Sequence, residues 1–265
     1  MAPEALFVPT SGDRWLPTEL ARGPWSPEAL HGGPPSALLL AGAEPLIAGM
    51  HPARLTVELL RPVPLTPLRL SAHVSRPGRK VRLVEAQLMT DETIVAKATL
   101  LGIRVEDTDV PSSPMPHPPK GPEQSPTEVP ETSAGPRYEA FHNAGVEHRF
   151  AEGHFGEPGP ATDWIRLRVP VVPGQAPSGM QRVAAAADFG NGISSILTMG
   201  EATFINPDLT VYLHRLPVGE WVGLEAVTVL QPQGVGLAES RLWDEDGSIG
   251  RSLQSLLVEG PTVTG

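Results

Sequence analysis

Two long segments of the chain alternate apolar and polar residues in the same order. The first contains "RLTVELLRPV", "LRLSAHVSRPG", "KVRLVEAQLMTDET" and "IVAKATLLGIRV". The second contains "LTVYLHRLPV", "WVGLEAVTVLQPQ", "VGLAESRLWDEDG" and "SIGRSLQSLLVEG". Alternation with many β-branched residues, interrupted by Gly, Pro and Asp turns, is typical of antiparallel strands. Each segment therefore predicts an antiparallel meander.

A short apolar run precedes each meander. These runs are "HGGPPSALLLAGAEPLIAG" and "GMQRVAAAADFGNG". Proline is tolerated in a first helical turn, and a helix that is apolar nearly all round is a buried one. An edge strand is predicted before each helix, in "ALFVP" and "VEHRFAEG". A sheet wrapped around one buried helix is the layout of the hotdog fold.

The two halves are related by a shift of 154 positions, which places Leu55 on Leu209. One inserted residue further along then aligns Thr99 with Gln254. Two copies of this length indicate a duplicated domain rather than a solenoid. The prediction is an α+β double hotdog, with two antiparallel sheets each wrapped around a central helix. Pairing of the copies edge to edge would remove one exposed edge from each sheet.

A proline-rich segment separates the copies and carries nine of the 31 prolines. Proline fixes φ and lacks an N–H donor, so we predict neither a helix nor a central strand here. The composition favours a solvated, partly extended linker. The predicted boundaries are an N-terminal hotdog over 1–106, a linker over 107–140 and a C-terminal hotdog over 141–265.

The composition of the chain restricts the classes of partner that it is expected to bind. The chain has 20 Lys and Arg against 30 Asp and Glu, a net charge of −10, and no cysteine. An acidic balance argues against a nucleic-acid or anionic-membrane surface. We see neither a signal peptide nor an apolar run long enough to span a bilayer, so a cytoplasmic location is predicted. Apolar sheet edges left at the ends of the paired copies predict a homodimer.

Four short motifs resemble one family. "HGGPPSALL", "ADFGNG", "DLTVYLHR" and "RSLQSLLV" look like the double-hotdog acyl-CoA thioesterases of the TesB-like type, also known as acyl-CoA thioesterase II. Each motif is weak alone, but their order on a duplicated frame is specific. The resemblance runs from Trp25 to Val258, apart from the linker. It implies an acyl-CoA substrate hydrolysed to a fatty acid and CoA, with no cofactor.

The resemblance also implies three catalytic residues. In the family, an aspartate, a hydroxyl residue and a glutamine position the water that attacks the thioester. Asp188 and Gln254 match the first and the last, whereas Asn206 stands at the hydroxyl position. Asparagine still donates and accepts hydrogen bonds, and Thr203 or Thr210 nearby are alternatives for the hydroxyl.

The residue types in the sequence favour a carboxylate as the group that activates the attacking water. No cysteine nucleophile exists, and the Gly-x-Ser-x-Gly elbow is absent from the sequence. Asp188 follows a helix C-terminus, where a negative charge costs roughly 0.3–1 kcal/mol of stability because of the helix dipole. A residue that is locally unfavourable in this way is often functional. The structural alternatives are a turn cap for Asp188, a solvent-facing Gln254 and an ordinary loop position for Asn206.

The Gly-Gly helix start predicts an oxyanion site. The backbone N–H groups of Gly32 and Gly33 lie where a helix offers free donors, although close packing is an equal explanation. His31 is either a ligand-facing donor or a surface loop residue. Aligning the helix starts places Gly42 where the second half has Asp188. One half is therefore predicted to be catalytic.

Two other functions stay open. Hotdog hydratases and dehydratases share the fold, but their Asp-(four residues)-His pattern is absent from the sequence. A non-catalytic acyl-binding accessory protein is compatible with the Asn206 departure. The eight histidines are scattered without metal-ligand spacing, so no metal site is predicted.

Overall fold

The structure is a computed structural model that describes residues 4–116, 119–129, 138–197 and 202–260. The first half contains one helix and six strands. They are β1 (Phe7–Pro9), β2 (Arg14–Pro17), α1 (Gly33–Ala43), β3 (Met50–Leu59), β4 (Leu68–Arg76), β5 (Val81–Thr90) and β6 (Thr93–Arg104). Short 3-10 turns span Glu19–Ala21 and Glu44–Ile47.

The second half repeats this order with additions. Its strands are β7 (Thr127–Glu128), β8 (Val146–Glu152), β9 (Ala161–Leu167), β10 (Thr203–Ile205), β11 (Asp208–Leu213), β12 (Val222–Gln231), β13 (Val235–Asp244) and β14 (Gly247–Glu259). Its helices are α2 (Gly179–Ala187) and α3 (Gly190–Ser194), with a 3-10 turn over Pro122–Gln124 and a π-helical turn over Phe141–Gly145.

The strands form one continuous antiparallel sheet. Its order is β1-β2-β4-β5-β6-β3-β11-β14-β13-β12-β9-β8-β7, so the second half mirrors the first about the β3–β11 pair. In that pair Thr56 lies opposite Thr210, its own copy in the repeat. The repeated strand therefore pairs with itself across a pseudo-twofold axis, which is the edge-to-edge pairing that the sequence predicts.

The predicted one-residue insertion in the repeat is wrong. Glu85 lies opposite Thr99 in the first half, and Glu239 lies opposite Leu253 in the second. Both hairpins also carry a β-bulge at the same place, between Leu88 and Met89 and between Leu242 and Trp243. Because the bulges match, the shift of 154 holds through the last two strands of each meander. The counterpart of Gln254 is thus Leu100 and not Thr99.

The two long helices pack side by side in opposite directions. Gly32, at the start of α1, lies against Asp188 at the end of α2. Glu44, at the end of α1, binds Ser178 at the start of α2. A Cβ on Gly33 would lie 2.3 Å from the carbonyl oxygen of Ala185, so glycine permits this close approach.

The core lies between the helices and the concave face of the sheet. α1 contacts β4, β5 and β6, while α2 contacts β9, β11 and β12. Leu38, Leu39 and Leu40 of α1 are fully buried, which explains why the helix has no polar face. None of the helices in the described residues is long and apolar enough to cross a membrane.

Part of the linker departs from a solvated tether, whereas its residues 107–116 are exposed. Residues 119–129 lie on the second half, with Pro122 and Ser125 buried. Trp164 Nε1 donates to the carbonyl of Lys120 at 2.7 Å, and Arg149 donates to the carbonyl of Pro122 at 3.0 Å. A proline-rich segment lacks donors but keeps its carbonyls, and these acceptors anchor it. Linker residues 117–118 and 130–137 lie outside the described residues.

Candidate active site

Asp188 is the residue that ends α2, and its side chain is only 5 % exposed. It faces the first turn of α1 because the two helices are antiparallel. A Cβ on Gly32 would lie 2.7 Å and 2.8 Å from the two carboxylate oxygens. The lack of a side chain at Gly32 thus leaves room for the carboxylate at the start of α1.

The three predicted catalytic residues meet at this carboxylate. Asn206 Nδ2 donates to Asp188 Oδ1 at 2.8 Å. Gln254 Nε2 lies 3.3 Å from the same oxygen and 3.3 Å from the backbone carbonyl of Asp188. Residues from α2, the loop before β11 and β14 therefore converge on one point.

The amide of Gln254 is held in one orientation. Its Oε1 accepts a hydrogen bond from the backbone N–H of Asn191 at 3.0 Å, so its Nε2 faces Asp188. A Cβ on Gly190 would lie 2.9 Å from this Oε1, so glycine lets α3 approach β14. Both residues belong to the "ADFGNG" motif, yet the sequence analysis singled out only its aspartate. Gln254 is buried rather than solvent-facing.

Asn206 makes the contact expected of a hydroxyl residue. Its Nδ2 donates to Asp188 and also lies 3.1 Å from the carbonyl of Asp208. Of the two threonine alternatives, Thr203 lines the neighbouring cavity. Thr210 lies in the β3–β11 pair, with its Oγ1 3.4 Å from that of Thr56.

His31 is the third side chain that contacts the carboxylate. Its Nδ1 lies 2.9 Å from Asp188 Oδ2, and the N–H of Gly33 points at the same nitrogen from 3.1 Å. Because one ring nitrogen cannot donate and accept at once, Nδ1 either donates to Asp188 or accepts from Gly33. Its ring packs on Phe189, with centroids 4.4 Å apart. The structure thus places His31 inside the site and not in a surface loop.

The two glycines have different places. Gly33 is buried against α2, and its N–H is directed at His31. Gly32 lines the cavity, and its N–H has no hydrogen-bond partner among the described residues. A free N–H at a helix N-terminus is a donor for developing negative charge. Of the pair, Gly32 is the one that has this geometry.

A cavity of about 670 Å³ opens beside these groups. Asp188, Asn206, His31 and Gly32 all line it. An apolar pocket with a few convergent polar groups is the usual form of a small-molecule site. Its apolar lining consists of Trp25, Leu30, Leu59, Leu60, Val63, Phe155, Phe189, Leu197, Phe204 and Ile205.

Buried titratable groups surround the cavity on the side of the π-helical turn. His142 lines the cavity, and burial, with the nearby His31 and His148, lowers its pKa to about 4. Behind it, burial raises the pKa of Asp163, which contacts His148. Among the described residues, no group of three His, Asp or Glu side chains is arranged to hold a metal ion.

Two family profiles match the chain. The profile of the acyl-CoA thioesterase N-terminal domain matches residues 21–102, and that of the acyl-CoA thioesterase C-terminal domain matches residues 112–258. The chain belongs to the acyl-CoA thioesterase family. It is therefore a thioester hydrolase, and the predicted resemblance is confirmed. No curated protein matches the chain.

Solved structures confirm the fold of this thioesterase. A protein of unknown function with a hot dog fold from Alicyclobacillus acidocaldarius has a TM-score of 0.74 at 19 % identity, covering 98 % of both chains. The tesB protein of Mycobacterium avium subspecies paratuberculosis gives 0.68 at 17 %, covering 94 % of this chain and 95 % of that one. TesB2, an acyl-CoA thioesterase II of Mycobacterium marinum, gives 0.65 at 13 %, covering 96 % and 94 %.

Proposed function

We propose that the thioesterase hydrolyses acyl-CoA with a water molecule activated by Asp188, assisted by Asn206 and Gln254. The observation that carries this proposal is the convergence of two amide donors, Asn206 and Gln254, and of His31 on one nearly buried carboxylate at the wall of an apolar cavity. Burial of that kind excludes bulk water and strengthens each contact. The cavity holds the acyl chain, and the thioester lies beside Asp188.

The carboxylate keeps one free position. It offers about four lone-pair positions, of which Asn206 and Gln254 occupy two on Oδ1. His31 occupies one on Oδ2 when Nδ1 carries the proton. The remaining position on Oδ2 accepts a hydrogen from the attacking water. The donors on Oδ1 fix the carboxylate so that Oδ2 faces the cavity.

The reaction is a balanced addition and elimination. Asp188 takes a proton from water as the water oxygen forms a bond to the thioester carbon. The carbonyl electrons move onto the oxygen, and the Gly32 N–H stabilises that charge. Re-formation of the carbonyl breaks the carbon–sulfur bond, and the thiolate of CoA takes the proton from Asp188. The products are a fatty acid and CoA.

A thiol-release assay over a series of acyl-CoA chain lengths tests this function. The proposal predicts release of free CoA for at least one chain length that the cavity accommodates. Interconversion of enoyl-CoA and 3-hydroxyacyl-CoA would instead show a hydratase. Binding of acyl-CoA without release would show an accessory protein. Either of these last two results contradicts the proposal.

We also propose a homodimer, for a reason that differs from the predicted one. The ends of the sheet are the short strands β1 and β7, which offer little edge. An exposed apolar face lies instead on the second half, where Val229 pairs with Leu237 and Val235 pairs with Leu257. A second copy would cover this face. Light scattering should give twice 28.2 kDa, and a monomer at micromolar concentration contradicts the proposal.

A further inference from the structure

His142 is a buried histidine that the proposed chemistry does not use. It lies in the π-helical turn Phe141–Gly145, is only 3 % exposed and lines the same cavity as Asp188. Single π-helical turns occur frequently at functional sites. The spacing of the eight histidines predicts no metal site, and the described residues around His142 do not form one.

The turn that carries His142 is fixed from two sides. Its backbone carbonyl accepts a hydrogen bond from His148 Nε2 at 3.0 Å, and His148 Nδ1 lies 2.5 Å from Asp163 Oδ2. The side chains of His148 and Asp163 are fully buried. On the other side, Asn143 Oδ1 accepts from the N–H of Ala140 at 2.8 Å. This network holds the turn, but none of the described residues forms a hydrogen bond with the His142 ring.

The two ring nitrogens of His142 differ in their surroundings. Nδ1 is buried and has no partner among the described residues. Nε2 has no hydrogen bond there either, but it is not among the buried unpartnered atoms, so it is the nitrogen that reaches the cavity. An orphaned buried N–H is rarer than an orphaned acceptor. The neutral ring therefore carries its hydrogen on Nε2, directed at the cavity.

The ring also stays uncharged under ordinary conditions. Burial, together with the positive charge that His31 and His148 can carry, lowers the pKa of His142 to about 4. A neutral donor does not form an ion pair with the Asp188 carboxylate, so its hydrogen remains available to a ligand. His142 is thus a preset hydrogen-bond donor on the side of the cavity that also carries His31.

We propose that His142 Nε2–H donates a hydrogen bond to the carbonyl oxygen of the bound acyl thioester and to the oxyanion that replaces it. This inference rests on the proposed function, and it places two donors, His142 and the N–H of Gly32, at that oxygen. A donor that meets growing charge in a site without bulk water stabilises the transition state more than the ground state. The role of His148 and Asp163 is to position the turn.

Two substitutions test the donor. His142→Phe removes it, and the apolar ring leaves no buried polar atom unpaired, so the melting temperature should hold. Loss of one oxyanion donor should lower kcat by about 10²-fold, with KM within about threefold. His142→Gln retains an N–H at the end of the side chain and should recover part of that loss. The matched control is His154→Gln, since the His154 side chain is 66 % exposed and should leave kcat unchanged.

Binding of two unreactive analogues separates this inference from the proposed function. A ketone analogue of acyl-CoA keeps the carbonyl, and a thioether analogue lacks it. His142→Phe should weaken ketone binding about fivefold, the value of one neutral hydrogen bond, and leave thioether binding unchanged. Equal effects on both analogues, an unchanged kcat, or a rise in KM alone would overturn the assignment. If the wild type releases no thiol, the proposed function fails, whereas the analogue comparison still reports on His142.

Discussion

At each end of the antiparallel helix pair an acidic residue faces the start of the other helix, but the two acidic residues have different surroundings. At one end Asp188, the residue that ends α2, faces the start of α1. At the other end Glu44, the residue that ends α1, faces the start of α2. Both acids therefore lie where a helix N-terminus offers positive potential. The pseudo-twofold axis exchanges the two positions.

The difference between them is the side chain on the facing helix. Ser178 stands before α2, and its hydroxyl donates to Glu44 at 2.7 Å while accepting from the N–H of Gln181 at 3.0 Å. Gln181 Nε2 also donates to Glu44 at 2.8 Å. At the other end the matching position is Gly32, which has no side chain, and a cavity opens there. One acid caps a helix, and the other faces a ligand space.

The comparison shows how the proposed reactive end of the helix pair differs from its copy in the duplicated fold. Burial raises the pKa of Glu44, so its charge is costly and serves only the helix contact. The same fold position becomes useful for chemistry when the capping side chain is absent and Asn206 and Gln254 replace it as donors. A small residue on the facing helix is thus as important as the acid.

Two arginines at matching positions of the repeat, Arg61 and Arg215, also differ in their surroundings. Arg215 forms two hydrogen bonds with Asp244, at 2.5 Å and 2.6 Å. The strand register places Thr90 where the second half has Asp244. Arg61, the counterpart of Arg215, is exposed, lines the cavity and forms no ion pair with any described residue. Its charge is available to an anionic ligand.

The largest expected effect comes from making the reactive end resemble the capped end. Gly32→Ser adds a Cβ that would lie less than 3 Å from both oxygens of Asp188, so the carboxylate must move. A shift of about 1 Å can cost roughly 10²-fold in rate, and kcat should fall by that amount. The control is Ser178→Gly at the other end, which should keep kcat within about threefold. Equal losses in the two variants would contradict the comparison.

The second largest effect tests the contribution of strand β14 rather than that of the start of α1. Gln254→Leu installs the residue that Leu100 provides in the first half. It removes one donor from Asp188 and should lower kcat by about 10-fold to 100-fold, since a hydrogen bond to a charged group contributes roughly 1.5–3 kcal/mol. Thr99→Ala, in the first half, should have no effect on kcat. Steady-state kinetics of both variants would show whether β14 of the second half, and not β6 of the first, contributes to catalysis.

A smaller effect concerns the two arginines. We expect Arg61, which lines the cavity, to contact a phosphate of CoA, so Arg61→Ala should raise KM for acyl-CoA about fivefold, the effect of one favourable contact at a solvated position. It should not change KM for an acyl-pantetheine thioester, which lacks the nucleotide. The same rise in KM for both substrates would show that Arg61 acts on the fold and not on the CoA phosphates.

The pH dependence of stability should have opposite signs at the two ends. The folded pKa of His142, about 4, lies below its usual 6.5, so the unfolded chain binds more protons between these values. Its contribution is complete above pH 6.5 and is lost as pH falls toward 4. The folded pKa of Glu44 lies above 4.5, so its contribution is lost as pH rises from 4.5 through the raised value. The free energy of unfolding should be measured by denaturant across this pH range. His142→Phe should reduce the loss of stability as pH falls, and Glu44→Gln should reduce the loss of stability as pH rises.

Local sequence patterns predicted most of the helices and strands. Strict alternation along 209–213 and along its copy, 55–59, predicted the two strands that became β11 and β3, because a buried sheet face requires period-two placement of apolar residues. The strands β2 and β9 were missed: β2 has only four residues, which give little periodicity, and β9 is buried along most of its length, so it shows no alternation. The false insertion arose from a chance match of Thr99 to Gln254, and only the paired bulges exclude it.

The candidate site was predictable where a motif covers it. Asp188 and Gln254 came from motifs, and the structure brings both together. Glu44 was missed because α1 has 11 residues and α2 has nine, so aligning their starts placed Gly42 at the Asp188 position. His142 was missed because it enters the cavity by long-range folding of the residues after the linker. No local pattern encodes that contact.

The most direct test of the account is the turnover of two matched isosteric variants, Asp188→Asn and Glu44→Gln. Each removes one charge from the end of one central helix, so the two changes are alike in size and in fold position. Loss of general-base assistance should lower the turnover of Asp188→Asn by about 10²–10⁴-fold, with acyl-CoA binding retained. Glu44→Gln should keep turnover within about twofold of the wild type. Full activity in Asp188→Asn, or an equal loss in Glu44→Gln, would contradict the assignment of catalysis to the Asp188 end.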